Sequence, residues 1–192
     1  SNLGNVVGGE TEKVTSMRYM FANAFLVTPD TSGWDTSNVV DMNSMFRNNS
    51  VANPDTSNWD TSKVTTMESM FYNAVSANPD TSNWDTSSVT TMFYMFMQAD
   101  SADPDTSNWD TSSVITMTGL FFGADIANPD TSAWDTSNVT DMSLMFYAAS
   151  LADPATTDWD TSNVTNMGSM FQNTHIGTTS YSSFLIQVEA TN

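Results

Sequence analysis

Asn78-Pro79-Asp80-Thr81-Ser82-Asn83-Trp84-Asp85-Thr86-Ser87-Ser88-Val89-Thr90-Thr91-Met92 opens a repeat that Phe93-Tyr94-Met95-Phe96-Met97-Gln98-Ala99-Asp100-Ser101-Ala102 closes. Read outward in either direction, the pattern returns every 25 residues. Trp34, Trp59, Trp84, Trp109, Trp134 and Trp159 share one slot, and Pro29, Pro54, Pro79, Pro104, Pro129 and Pro154 share another. Phe21, Phe46, Phe71, Phe96, Phe121, Phe146 and Phe171 form a third column. Thirteen of the 14 methionines are equally regular, and no insertion interrupts the count. A fixed period of about 20–50 residues signals repeats that stack and share one core. Stacking turns each slot into a column, so chemistry is to be sought in columns rather than in isolated triads.

Within one repeat, Pro79 withholds an N–H, so Asn78 to Trp84 reads as a short strand or an extended turn. Asp85-Thr86-Ser87-Ser88 is a cluster of capping residues. Val89, Met92, Met95, Phe96 and Ala99 follow at offsets of one helical face, which predicts a helix of about three turns at most, in part 3₁₀. The inward columns are then Val14 to Val164, Met17 to Met167, and Met20 to Met170 with Leu120 among them. Methionine fills irregular gaps between stacked units, and beside Val and Phe it reads as core rather than as metal ligand or groove. The tryptophans read as a core column rather than a carbohydrate platform.

The chain divides into residues 1–24, an N-terminal cap and half coil, residues 25–174, six coils, and residues 175–192, a degenerate coil or cap. Lys13 and Arg18 hold half of the positive charge. Phe184 stands one period after Trp159, so Thr178 to Gln187 reads as a degenerate extended segment and Phe184-Leu185-Ile186-Gln187-Val188 as a strand. The two ends read as those of a fragment of a longer protein.

Composition narrows the function. The net charge is −18, from 22 acidic against four basic side chains. Such a surface repels nucleic acid and anionic headgroups, and no apolar run predicts membrane insertion. Hydrophobic residues at 39% with six tryptophans argue against disorder. There is no cysteine, which excludes disulfides and thiolate metal sites.

The string Ser-Asn-Trp-Asp-Thr-Ser-x-Val-Thr-x-Met-x-x-Met-Phe-x-x-Ala resembles the repeat of the BspA-like class of leucine-rich repeats in bacterial surface proteins. Asn58-Trp59-Asp60-Thr61-Ser62-Lys63-Val64-Thr65 and Asn138-Val139-Thr140-Asp141-Met142-Ser143-Leu144-Met145-Phe146 carry the match, over about residues 14–175. The resemblance implies an α/β fold: a right-handed leucine-rich-repeat-like solenoid with a short strand and a short helix or 3₁₀ turn per coil. It also implies export to the cell surface and adhesion. The chain departs from the pattern in carrying Ala52, Ala77, Ala102, Ala127 and Ala152 before the proline slot, and Thr31, Thr56, Thr81, Thr106, Thr131 and Thr156 after the aspartate.

Two carboxylate columns run the length of the chain. Asp35, Asp60, Asp85, Asp110, Asp135 and Asp160 precede Thr-Ser and the predicted helix, and read as caps. Asp30, Asp55, Asp80, Asp105 and Asp130 sit mid-segment, where no cap is needed. In extended chain Asn53, Asn78 and Asp103 point the same way as these aspartates, as do the following serines. Carboxylates stacked about 4.8 Å apart repel by about 0.9 kcal/mol per pair in bulk water and about 3.5 at an effective dielectric of 20. One reading is a solvated acidic face. The sharper one is Ca²⁺ held by the oxygens of Asp30, Asp55, Asp80, Asp105, Asp130, Asn53, Asn78 and Asp103. One coil offers too few carboxylates per site, so water or a second molecule would complete the coordination, the latter as a two-fold homodimer bridged by Ca²⁺. Zinc is disfavoured with His175 as the lone imidazole.

Six copies of one aspartate pair argue against catalysis, which needs one tuned environment. The sequence therefore reads as a non-enzymatic, extracellular adhesion module that self-associates or binds other surface proteins or glycans. The alternative is a structural spacer within a long adhesin. A binder of an asymmetric ligand should vary from repeat to repeat, as Arg47-Asn48-Asn49, Tyr72-Asn73, Met97-Gln98-Ala99-Asp100 and Phe122-Gly123 do.

Overall fold

The computed structural model describes residues 10–177. Residues 1–9 of the expected cap, and the expected segment Thr178 to Gln187 with the strand Phe184 to Val188, lie outside the described residues.

The repeats lie against one another in parallel and in register. Ser16, Asp41, Thr66, Thr91, Thr116, Asp141 and Asn166 are joined by successive parallel bridges, each spanning one period. Just before them the Thr65 N–H donates to the Val40 carbonyl at 2.9 Å and the Thr90 N–H to the Thr65 carbonyl at 2.9 Å, and just after them the Met42 N–H donates to the Thr66 carbonyl at 3.2 Å. Among the described residues these isolated bridges are the whole of the β pairing, and there is no helix. The expected α/β class, with a strand and a helix per coil, is thereby overturned, and the chain is built mostly of turns and loops. The bridges also fall on the side where the helix was expected, not in the proline segment.

Each repeat is a succession of reverse turns closed by an N–H to the carbonyl three residues back. In one repeat these run from Trp84 to Thr81 (3.1 Å), Val89 to Thr86 (2.9 Å), Met95 to Met92 (3.2 Å), Ala99 to Phe96 (3.1 Å) and Ala102 to Ala99 (2.9 Å). Both ends of every one of these turns are buried. The three-residue spacing of apolar side chains is therefore the span of a turn, and it imitates a helical face because a helix also brings i and i+3 together.

A helix is excluded because the donors it needs are committed elsewhere. The Tyr94, Phe96 and Gln98 N–H groups leave the repeat to reach the Thr118, Leu120 and Phe122 carbonyls at 3.0, 2.9 and 2.7 Å. A helix would send those N–H groups to carbonyls four residues back. The two residues flanking this stretch, Tyr94 and Gln98, have φ of 54° and 55°. The same two slots are left-handed in every repeat from Tyr19 to Asn173. Asn and Gly tolerate that conformation best, and Asn48, Asn73, Gly119 and Gly123 use it. Leu144 and Ala148 adopt it as well, held by the bonds to the next repeat.

The core follows from the register. The Phe column is continuous from Phe21 to Phe171, with ring centroids 5.4–5.8 Å apart. The tryptophans are buried, and Trp34–Trp59–Trp84 and Trp109–Trp134–Trp159 stack at 6.2–6.4 Å. The Val and Met columns are fully buried in the central repeats, as their spacing requires. At the two ends the same columns are less covered: Met20 is 48% exposed, and Val164 and Met167 are only partly buried.

The threonines after each aspartate are buried and act as rungs. Thr31, Thr56, Thr81 and Thr106 donate Oγ1–H at 2.6 Å to the carbonyls of Asp55, Asp80, Asp105 and Asp130 in the next repeat. Thr36, Thr61, Thr86, Thr111 and Thr136 do the same at 2.8–2.9 Å to Asp60, Asp85, Asp110, Asp135 and Asp160. A buried hydroxyl with a matched carbonyl offsets its desolvation, so polar residues sit here at little cost.

The turn assignment makes a prediction opposite in sign to that of a helix. Ala148→Gly should stabilise the chain by about 1 kcal/mol in urea unfolding, because it relieves a left-handed alanine. A helix would lose about 1 kcal/mol from the same change.

Candidate functional site

The acidic edge is assembled by local hydrogen bonds. Asp55 Oδ1 accepts the Ser57 N–H at 3.1 Å and the Ser57 Oγ–H at 2.6 Å. Asp80 and Ser82, and Asp105 and Ser107, repeat this geometry. So do Asp60 with Ser62, Asp85 with Ser87 and Asp110 with Ser112 in the other column. These are Asx turns, in which a carboxylate takes the N–H two residues on. Both aspartate columns therefore do the same thing. The expected helix caps are corrected to turn-forming residues, since no helix follows them.

The alternation expected of the proline segment is present. Ala52, Pro54 and Thr56 are buried, whereas Asn53 and Asp55 are exposed. Asn53, Asn78, Asp103 and Asn128 nevertheless do not simply face solvent. Each Oδ1 accepts the backbone N–H of the equivalent residue one repeat on, at 2.9–3.1 Å, in the order Asn78, Asp103, Asn128, Asp153. The candidate ligands thus form two adjacent ladders: Asp30, Asp55, Asp80, Asp105 and Asp130 engaged with their serines or the serine N–H, and Asn53, Asn78 and Asp103 engaged with backbone. Among the described residues no three carboxylate or imidazole groups converge as a metal site within one chain would require.

Electrostatics along this edge follow from the serine bonds. Hydrogen bonds from Ser32, Ser57, Ser107 and Ser132 hold Asp30, Asp55, Asp105 and Asp130 below the usual carboxylate range. Neighbouring charge works the other way, and Asp30 feels Asp55 as Asp105 feels Asp130. Asp60 is held low by Ser62, with a smaller contribution from Lys63.

The second surface of interest lies on the Met–Phe segment. The slot after each core phenylalanine reads Arg47, Tyr72, Met97, Phe122 and Tyr147, all half-buried. The Arg47 guanidinium sits 4.4 Å over the Tyr72 ring. Tyr72 meets the Tyr94 ring edge-on at 6.4 Å, and Phe93 packs on Tyr94 at 4.0 Å. Phe122 and Tyr147 stack at 4.7 Å with planes 17° apart. Tyr94 lies over Gly119, where a Cβ would collide with its ring, so a glycine in the neighbouring repeat seats the aromatic flat. Asp100 follows in the same segment and is exposed, its carboxyl pushed up by partial desolvation against its neighbours and by Asp125 one repeat away. The non-uniform positions Arg47, Tyr72, Met97 and Phe122 were legible as variation, but their union with Tyr94 and Tyr147 in one strip was not. The signal that could have found it is the aromatic excess in slots where other repeats carry Ser or Ala.

A family model described as "Mycoplasma protein of unknown function, DUF285" matches residues 2–106 and again residues 78–184. No curated protein and no solved structure matches the chain. The two family matches begin about three periods apart, as a repeat in constant register requires. No helix among the described residues is long and apolar enough to cross a membrane.

The Asx-turn geometry is checked by titration. Asp60 has a folded pKa depressed below its unfolded value, so its bond with Ser62 contributes fully above the ordinary carboxylate range of about pH 4 and is lost as pH falls through the folded value. Ser62→Ala should raise the Asp60 carboxyl pKa toward the ordinary value in a carbon-detected NMR titration. An unchanged midpoint would show that Lys63, not Ser62, sets it.

Proposed function

This chain belongs to that family, and from this premise we propose that it is a non-enzymatic interaction module of a bacterial repeat protein displayed outside the cell. The observation that supports this best is the division of labour among its columns. Thr, Asp, Ser and Asn in the uniform slots are spent on turns and on rungs between repeats. Identical environments repeated six times do not single out one residue for acid, base or nucleophile chemistry. The positions that differ from repeat to repeat gather on the Met–Phe segment instead. Only differing positions distinguish one part of an asymmetric partner from another, and aromatic side chains, here half-buried, are the residue type such contacts favour. Export and adhesion, which the BspA-like resemblance implies, fit this reading. A structural spacer would leave the aromatic strip without a use.

Attachment of bead-coupled protein to bacterial and host cell surfaces tests it. The chain should attach, and Tyr72→Ala/Phe122→Ala/Tyr147→Ala should lower attachment at least several-fold. Asp55→Asn/Asp80→Asn should leave it unchanged. No attachment by the unaltered chain would return the spacer reading.

A second reading concerns the acidic edge, and the repulsion between Asp105 and Asp130 across repeats favours it. Ca²⁺ shared between the edges of two chains would neutralise both, and two edges would supply the oxygens that one lacks. In light scattering and thermal melts, Ca²⁺ at about 5–10 mM, above the weak affinity range of extracellular sites, should double the mass and raise Tm by linkage. Chelator should reverse both changes. An unchanged mass together with no titration heat removes this reading.

A further inference from the structure

We propose that the aromatic strip through Tyr72, Phe122 and Tyr147 is a docking surface for an arginine-bearing cationic peptide segment of a partner protein. The inference rests on the interaction-module reading and names the class of partner.

The chain already shows the contact on itself. Arg47 lies 4.4 Å over Tyr72, and Arg18 lies 5.1 Å over Tyr19. A guanidinium over an aromatic ring is attracted by the ring quadrupole and stacks as a flat group, which an ammonium does not. These internal partners end early. Lys13, Arg18, Arg47 and Lys63 are all the lysines and arginines of the chain, so no ammonium or guanidinium side chain follows Lys63. The strip continues past that point through Met97, Phe122 and Tyr147, in a chain of net charge −18. Any cation over those rings must come from another molecule.

The surroundings suit a cation. Asp100 and Asp125 occupy equivalent positions in adjacent repeats, three residues beyond Met97 and Phe122. Both are exposed; partial desolvation and the neighbouring Asp125 charge raise the Asp100 carboxyl pKa, and a positive group beside it would relieve that. The strip is also held in shape before any partner arrives. Tyr94 is seated on Gly119 and wedged between Phe93 and Tyr72, and Phe122 and Tyr147 support each other. A surface ordered in advance loses less entropy on binding. The rings recur from repeat to repeat along the stack, so the matching ligand is an extended segment carrying several guanidinium groups rather than a single cation.

The test uses the 192-residue chain and three amidated peptides of the same length, alternating glycine with arginine, with lysine or with glutamine. Calorimetry at physiological salt should show the arginine peptide binding about five- to tenfold more tightly than the lysine peptide, and the glutamine peptide not binding. Phe122→Ala/Tyr147→Ala should bring the arginine peptide down to the affinity of the lysine peptide. Melting should fall by a few degrees from the loss of the stacked pair, so binding is compared well below Tm, where far-UV circular dichroism should stay unchanged. Asp100→Asn/Asp125→Asn should weaken both cationic peptides.

Equal affinity for the two cationic peptides, or no effect of the ring substitutions, overturns the proposal in favour of undirected attraction to an acidic surface. Binding of neutral glycans with the same ring dependence and without arginine preference also overturns it. The two readings fail separately. Loss of arginine preference with ring-dependent cell attachment removes the partner assignment alone. Arginine preference with ring-independent attachment keeps the strip and removes the attachment role.

Discussion

Alternate N–H groups of the Met–Phe segment donate to the next repeat rather than to their own, and the rest of the structure depends on that commitment. Tyr94, Phe96 and Gln98 spend their donors on Thr118, Leu120 and Phe122. The intervening Met95 and Met97 close local turns on Met92 and Tyr94, and Ala99 closes the next on Phe96. Backbone groups buried in a core must be paired, and this alternation pairs them without a helix or a regular sheet. It also forces two left-handed residues per repeat, at the slots of Tyr94 and Gln98. The strain at Leu144 and Ala148 persists because the inter-repeat bonds over-determine it.

A constant 25-residue register is what makes those bonds available in every repeat. Slippage by one residue would part Phe96 from Phe121 and aim Thr81 away from the Asp105 carbonyl. The Asp-Thr-Ser triplets reinforce the register from the polar side. Aspartate and serine close the turn, and the threonine between them reaches into the next repeat. Polar residues thus serve as internal fasteners, which is why so acidic a chain has a continuous apolar interior. The cost is a row of exposed carboxylates along one edge, among which Asp30 and Asp105 are stabilised as anions by their serines and opposed by Asp55 and Asp130.

Function, in this frame, belongs to what the fasteners leave free. The Asp, Asn and Thr columns carry the same bonds from repeat to repeat, so they offer a partner a regular, repetitive edge. The strip from Arg47 to Tyr147 differs at every step and holds its rings in fixed relative positions. The glycine at position 119 shows the two roles meeting. It relieves a left-handed backbone slot, and it makes room for a neighbour's aromatic ring.

Periodicity alone determined that repeats stack, and which columns are buried, because a strict period with apolar residues in constant slots has no other way to cover them. Phe96, Met92, Val89 and Trp84 were legible on that ground. The local conformation was not. The i, i+3 spacing of Met92 with Met95 and of Phe96 with Ala99 is common to a helix and to a row of turns, and what separates the two is the destination of each N–H. That destination lies 24 residues away, in the next repeat. Ser44, Asn48, Gly119 and Gly123 were the local hint, being poor helix formers four residues apart inside an apolar run. The roles of Asp55 and Asn53 were equally undecided by sequence, since an exposed oxygen ligates a cation or closes a turn with the same chemistry. Only the tertiary structure placed Ser57 on one and the Asn78 N–H on the other, because a hydrogen bond is fixed by distance and direction, which residue spacing along the chain does not specify.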